Sequence, residues 1–221
     1  MATQICCISD MHGNLPEIPD CDLLLIAGDI VPLNVQSSIP KSAAWLNSSF
    51  RKWLKGIKKR GIDIVGIAGN HDFIFERAHV LVPPDLPWTY LLDDVCNIRG
   101  LNIYGTPWQP YFGGWAFNLS ESLLEDKWDK IPTHTDIIIV HGSPYLHGDK
   151  VFYIRDGQGY EEHVGSPSLL RKIQEVKPKL VVCGHIHGGY GIYQAGETTI
   201  INCSLVNEGY KPVNGVVTWI I

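Results

Sequence analysis

Ile62-Asp63-Ile64-Val65-Gly66-Ile67-Ala68-Gly69-Asn70-His71-Asp72 is an apolar run that breaks off into an amide, an imidazole and a carboxylate. The apolar part has the length of one strand covered on both faces, and Gly69 and Asn70 tolerate the backbone conformations of a tight turn. Standing alone, this is an ordinary strand end. Four other apolar runs finish in the same way. Gln4 to Ser9 runs into Asp10-Met11-His12-Gly13-Asn14, and Leu23 to Ala27 runs into Gly28-Asp29. Further on, Asp136 to Val140 runs into His141-Gly142-Ser143-Pro144, and Leu180 to Cys183 into Gly184-His185-Ile186-His187. Open α/β sheets bind ligands outside the carboxyl ends of their strands, so five such ends, far apart in sequence, have one place to meet.

The segments between these runs read as helices and turns. Leu46, Phe50, Trp53, Leu54 and Ile57 recur at helical spacing between Pro40 and Gly61, with Lys52, Lys55, Lys58 and Lys59 mostly off that stripe. A short helix is expected over Phe73 to His79, then a hairpin of Val95 to Ile98 with Leu101 to Tyr104 around Arg99-Gly100. Ser120 is the expected N-cap of a helix ending near Ile131, and Ser166-Pro167 opens another that runs to about Val176. Tyr145 to Gly165, polar and rich in Gly and His, reads as an ordered loop. After the fifth run, Tyr190 to Gln194, Thr198 to Asn202 and Val213 to Ile220 alternate like antiparallel strands. Strand-helix alternation ending in antiparallel strands indicates a layered α/β protein with mixed sheets.

Composition excludes several roles. The formal charge is -5, and no basic run exceeds Lys58-Lys59-Arg60, so strong binding to polymeric nucleic acid is not expected. No apolar stretch approaches the roughly 20 residues of a membrane helix, and the first residues lack a signal-peptide pattern. The six cysteines lack paired C-x-x-C spacing and read as reduced thiols. One cytoplasmic domain over residues 1–221 is the expectation, with 45% hydrophobic residues to build its core.

The strand ends together carry Asp10, His12, Asp29, Asn70, His141, His185 and His187. Asp, His and Asn without thiolate suit divalent ions such as Mn, Fe or Zn. Seven candidate ligands are too many for one ion with open positions, and two ions sharing a carboxylate fit the count. The ordered set Asp10-x-His12, Gly28-Asp29, Gly69-Asn70-His71-Asp72, His141-Gly142 and Gly184-His185-x-His187 resembles the calcineurin-like metallophosphoesterases. That resemblance spans Asp10 to His187.

The resemblance implies a four-layer αββα sandwich of two mixed β-sheets flanked by helices. It implies one ion on Asp10, His12, Asp29 and His187, and a second on Asp29, Asn70, His141 and His185. Mn is the expected ion, with Fe, Zn or Ni as alternatives. Two such ions about 3.5 to 4 Å apart turn a water held between them into a hydroxide nucleophile for in-line attack on phosphorus. His71 is the candidate acid for the leaving group, and Asp72 either orients His71 or caps the following helix.

Gly105-Thr106-Pro107-Trp108-Gln109-Pro110 with the aromatic loop after it, and Ile186 to Gly191 with Asn202 to Asn214, look like the small phosphodiesterase branch related to the mammalian brain and fetal-brain metallophosphoesterases. That branch is similar to class III cyclic nucleotide phosphodiesterases. Small phosphodiesters, cyclic nucleotides among them, are the implied substrates. Trp108, Tyr111 and Trp115 either stack on a base or fill a satellite core. Gly188, next to His187, is expected to leave its side of the cleft without side chains. The rival readings are a phosphomonoesterase or phosphoprotein phosphatase, which usually adds phosphate-gripping arginines, and a noncatalytic scaffold, which tends to lose a ligand or the acid.

Overall fold

Successive side chains of a strand point to opposite faces, so a strand that is apolar throughout must be covered twice. The computed structural model describes residues 2–221. Strands β1 (Gln4–Ile8), β2 (Leu23–Ala27), β3 (Asp63–Ile67) and β4 (Thr89–Tyr90) lie parallel in that order. Strands β5 (Asp94–Ile98) and β6 (Leu101–Thr106) form a hairpin at one edge of a second sheet. Two-residue strands β7 (Gln109–Pro110) and β8 (Asn118–Leu119) close the aromatic loop. The second sheet continues through β9 (Ile137–Val140), and a separate hairpin follows, β10 (Lys150–Arg155) with β11 (Gln158–His163). Strands β12 (Leu180–Cys183), β13 (Gly191–Ala195) and β14 (Thr198–Asn202) complete the order β13-β14-β12-β9-β6-β5. The last strand, β15 (Val217–Ile220), returns to the first sheet and pairs antiparallel with β1.

Side-chain parity sorts the core into three layers. Ile5 and Cys7 of β1, Leu23, Leu25 and Ala27 of β2, and Val65 and Ile67 of β3 face Ile103, Ile137, Ile139, Leu180, Val182 and Ile201 of the other sheet. Their neighbours Cys6, Ile8, Leu24, Ile26 and Ile64 point outward to Leu46, Phe50, Leu54 and Ile57. On the far side Ile138, Val140, Val181 and Cys183 pack on Leu124, Trp128, Leu169 and Ile173. Helix, sheet, sheet and helix therefore stack as four layers, as the resemblance implied.

The helices follow their stripes. Helix α1 (Ile39–Trp45), a π-helical turn (Leu46–Phe50) and α2 (Arg51–Lys58) run on without a break, with Phe50 stacked between Trp45 and Trp53 at 5.7 and 5.8 Å. Helix α3 (Phe73–Arg77) is a single short stretch, followed by a 3-10 turn at His79–Leu81. Helices α4 (Glu121–Trp128) and α5 (Pro167–Val176) cover the second sheet. Ser166 caps α5 by accepting from the Leu169 N–H at 3.1 Å, as its sequence suggests. Ser120 stands at the N-cap of α4, but its hydroxyl meets Ser122 instead of a backbone N–H.

Two expectations are corrected. Tyr145 to Gly165 is not an irregular loop, because most of it forms the β10-β11 hairpin. Asp156 and Gly157 both take positive φ, 52° and 75°, which is the two-residue turn that Asp-Gly favours. Val151-Phe152-Tyr153-Ile154 shows no polar-apolar alternation, and Phe152, Tyr153 and Ile154 are all exposed in the fold. The last strand begins at Val217 rather than Val213, and it belongs to the other sheet from β13 and β14.

Phe50 is fully buried amid Trp45, Trp53 and Trp88. Phe50→Ala is therefore expected to cost about 3–5 kcal/mol in urea unfolding. Phe152→Ala on the exposed hairpin should stay within about 0.5 kcal/mol of wild type.

Candidate metal centre

Hydrogen bonds from backbone N–H groups and one imidazole lace the five strand-end loops together. The N–H groups of Asp10, His12 and Gly13 donate to the carbonyls of Gly28, Asp29 and Ile30, which zips the loop after β1 to the loop after β2. The His71 N–H donates to Asp29 Oδ1 at 2.7 Å, joining the β3 loop to the same carboxylate. From the second sheet, His141 Nδ1 reaches the Ala27 carbonyl at 2.8 Å, and Gly184 N–H donates to the His141 carbonyl. The His185 N–H returns to the Asp10 carboxylate at 3.0 Å.

Close approach and strain mark this junction. Asp10, His12, Asp29 and His185 all take left-handed backbone conformations, with φ between 42° and 69°. Such residues are uncommon outside Gly and gather at functional sites. Gly184 is required by contact: a β-carbon there would lie 2.2 Å from Asp10 Oδ2.

The side chains converge on Asp29. Its Oδ2 lies 3.5 Å from His141 Nε2, 3.7 Å from His12 Nε2 and 3.9 Å from His71 Nε2. Asp10 Oδ1 lies 3.3 Å from His187 Nε2, and Asn70 Oδ1 sits 2.9 Å from His141 Nε2 and 2.8 Å from His185 Nδ1. Three overlapping groups each bring ligand atoms within 4.8 Å of one another: Asp10, His12 and His187; His12, Asp29 and His71; Asp10, Asp29 and His141. All seven ligand candidates read from the sequence meet here, and His71 lies beside them.

The hydrogen-bond roles fit a cation. Carbonyl oxygens only accept, so His141 Nδ1 and His187 Nδ1, which face Ala27 O and Asn207 O, must carry hydrogen. In neutral form each ring then presents its Nε2 lone pair to further acceptors, Asn70 Oδ1 and Asp29 for His141 and Asp10 for His187. Acceptors facing acceptors need a cation between them, which a proton on Nε2 supplies when no metal ion is bound. Both ring nitrogens of His12 are buried without a hydrogen-bond partner, and burial pushes that imidazole down to about 4, favouring the neutral form a metal binds. Burial opposes a charge on His141, yet the Asp29 carboxylate overrides it and raises the ring to about 9. Burial likewise opposes ionisation of Asp29, and the surrounding imidazoles hold it well below the usual carboxylate range.

A model of the calcineurin-like phosphoesterase family matches residues 3–189. The chain belongs to that family. Over 241 residues it is 35% identical to metallophosphoesterase domain-containing protein 1 of Homo sapiens, covering 96% of this chain and 69% of that protein. A UPF0046 protein of Caenorhabditis elegans is 32% identical over 237 residues, covering 91% of this chain and 56% of its own length. A solved structure at 17% identity superposes with a TM-score of 0.62, covering 91% of this chain and 90% of its own. TT1561 of Thermus thermophilus, at 13% identity, covers 91% and 89% with a TM-score of 0.54. These two likenesses concern the fold. As a calcineurin-like phosphoesterase the chain is a hydrolase of phosphoric esters that works with divalent metal ions, and the Asp, His and Asn cluster is its candidate for holding them. No helix among the described residues is long and apolar enough to cross a membrane.

The remaining sequence candidates are distributed unevenly. Trp115 lies at the site, its ring 4.3 Å from that of His71 and 5.7 Å from Phe73. Trp108 packs between two core layers, donates to Asp93 at 3.0 Å and lies under the Lys127 ammonium, so its indole is structural. Tyr111 is 69% exposed and makes no ring contact with the cluster. The Gly188 N–H is taken by Glu208 at 2.8 Å. The cleft beside it is not bare, because Tyr210 sets its ring 5.0 Å from His12, 5.2 Å from His187 and 5.9 Å from His71.

Asp72 also departs from expectation. Its carboxylate neither touches the His71 ring nor caps α3. It accepts from the N–H groups of Ile30, Val31 and Gly69 at 2.8 to 3.1 Å, tying the β2 loop to the β3 loop. The ring of His71 instead meets Gln36, whose Oε1 lies 2.6 Å from Nδ1. Ser204, whose hydroxyl donates to Asp10 Oδ2 at 2.7 Å, was likewise missed. Gln36 and Tyr210 lie in a turn and a bend with no periodic pattern, whereas Ser204 bridges to Ser9 just past β14, and Ser204 and Tyr210 fall within Asn202 to Asn214, which the resemblance includes.

Asp72→Asn turns one acceptor oxygen into a donor facing buried N–H groups. It is expected to destabilise the protein by about 2–4 kcal/mol in urea unfolding. A variant of full stability that lost only catalytic rate would instead make Asp72 the partner of His71.

Proposed function

We propose that this chain is a phosphodiesterase of small substrates, cyclic nucleotides among them, acting with two divalent ions that share Asp29. Manganese is the first choice of ion. The observation that carries the reading is the position of Asp29 Oδ2, within 3.9 Å of three imidazoles drawn from the loops after β1, β3 and β9. Asp10, His12 and His187 complete one ligand set with Asp29, and Asn70, His141 and His185 complete the other. When bound, such a pair of ions generates a nucleophile from water and neutralises charge on the phosphoryl oxygens.

The chain's own groups do the rest. The His71 backbone N–H is anchored on Asp29 Oδ1, so the imidazole keeps a fixed station beside the shared carboxylate. His71 Nε2 faces the cluster and gives its proton to the leaving oxygen. Trp115 lies against one side of that ring and Tyr210 meets it edge-on, walling the acid with apolar surface. Asn70 is a neutral amide, so it would add no negative charge to an ion it held, and such an ion would be more electrophilic toward phosphate than one on a carboxylate.

Two features favour a diester over a terminal phosphate. Arg51, Arg60, Arg77, Arg99 and Arg171 bind Asp85, Asp20, Glu76, Asp63 and Glu125 respectively, and Arg155 closes the turn of the exposed hairpin. Among the described residues, none of these six arginines contacts the cluster. The aromatic walls around His71 suit an apolar or aromatic ester group better than a second phosphate charge.

Chelation should abolish hydrolysis of bis(p-nitrophenyl) phosphate, and added Mn should restore it. His71→Ala is expected to keep its metal content and lose about 10²–10⁴-fold in kcat on a cyclic nucleotide. Full activity after chelation, or in the His71 variant, would contradict this reading, and faster turnover of the mono-nitrophenyl ester would make the enzyme a monoesterase.

A further inference from the structure

We infer that Gln36 is the positioning residue of His71, holding the imidazole so that Nε2 alone exchanges protons with the substrate. This rests on the reading of His71 as the acid. The partner of Nδ1 is Gln36 Oε1, at 2.6 Å. The neighbouring carboxylate that a sequence reading offers for that task, Asp72, is fully occupied by the N–H groups of Ile30, Val31 and Gly69. The other groups against the ring are Trp115 at 4.3 Å, His12 at 4.8 Å and Tyr210 at 5.9 Å, with Asp29 Oδ2 3.9 Å from Nε2.

Gln36 is itself held in place. The N–H groups of Val35 and Gln36 both donate to the Pro32 carbonyl, and the Ser42 hydroxyl donates to the Val35 carbonyl. The turn therefore hangs directly from the loop that carries Asp29. Acid and shared carboxylate are thus tied to one short stretch of chain from two sides, by the His71 N–H and by the His71 ring.

The chemistry requires the amide oxygen, rather than its NH2, to face the ring. An imidazolium that gives up its Nε2 proton and is left as neutral imidazole keeps its other hydrogen on Nδ1, and that hydrogen needs an acceptor. During the step the P–O bond to the leaving group breaks and its electron pair stays on oxygen. The Nε2–H bond breaks as the new O–H bond forms, and the imidazolium becomes neutral imidazole. Nδ1 keeps its hydrogen on Gln36 throughout. Without that acceptor the ring is free to turn over about its outer torsion, which is broad and two-fold, and to present carbon in place of Nε2.

A nitrophenolate departs without a proton, whereas an alkoxide does not, and this separates acid positioning from general damage. The test measures kcat on Mn-loaded wild type, Gln36→Leu, Gln36→Asn, Gln36→Glu and His71→Ala. One substrate is a nitrophenyl phosphodiester and the other a cyclic nucleotide. Gln36→Leu should lose about tenfold or more on the cyclic nucleotide and stay within about threefold on the nitrophenyl ester. Gln36→Asn, too short to reach Nδ1, should show the same split, and Gln36→Glu, which keeps the acceptor, should restore the cyclic nucleotide rate. In the metal-free protein, nitrogen NMR of His71 should show hydrogen on Nδ1 in wild type and its loss from that position in Gln36→Leu. Equal losses on the two substrates, no loss in either variant, or an unchanged tautomer would overturn the assignment. If His71→Ala itself treats the two leaving groups alike, the acid reading fails first, and that outcome is visible without any Gln36 variant.

Discussion

The carboxylate of Asp29 is the contact on which the rest of the centre depends. One oxygen is fixed by the His71 N–H, and the other faces the imidazoles of His12, His71 and His141. A buried anion in that position is costly unless positive charge surrounds it. The sandwich supplies the means, since parallel strands of two face-to-face sheets end at one rim, bringing the β1, β3 and β9 loops onto Asp29 and the β12 loop onto Asp10 and Asn70. His141 spans the sheets outright, with its ring on the Ala27 carbonyl of the first sheet and its backbone in the second.

Holding the loops so close demands local sacrifices. Left-handed backbone at Asp10, His12, Asp29 and His185, and a glycine at position 184 that admits no β-carbon, are unfavourable features gathered at this rim. They are compensated by the dry layer between the sheets, where Ile, Val and Leu from both sides pack with no exposure. Stability is thereby concentrated in the strands and strain at their ends.

Much of this was legible in the sequence, for definable reasons. Strands buried on both faces are uninterrupted apolar runs, so their ends are easy to locate, and ligand-type residues at those ends stand out against them. Asp10, His12, Asp29, Asn70, His141, His185 and His187 stand at those ends, and the fold brings their side chains together. What could not be read is direction. Asp72 follows His71 in sequence yet turns back to the β2 loop, and Trp108 and Trp115, seven residues apart in one loop, go to the core and to the His71 ring respectively. Gln36 and Tyr210 come from turns whose course depends on tertiary contacts, so no local period announces them. The β10-β11 hairpin was hidden because its apolar residues face outward, contrary to the usual alternation.

The central claim is that Asp29 is shared between two ions. Anomalous-difference diffraction from crystals grown with Mn tests it most directly. The account predicts two peaks, one on either side of Asp29, the first bounded by Asp10, His12 and His187 and the second by Asn70, His141 and His185. A single peak, or a second peak that Asp29 does not touch, would contradict it.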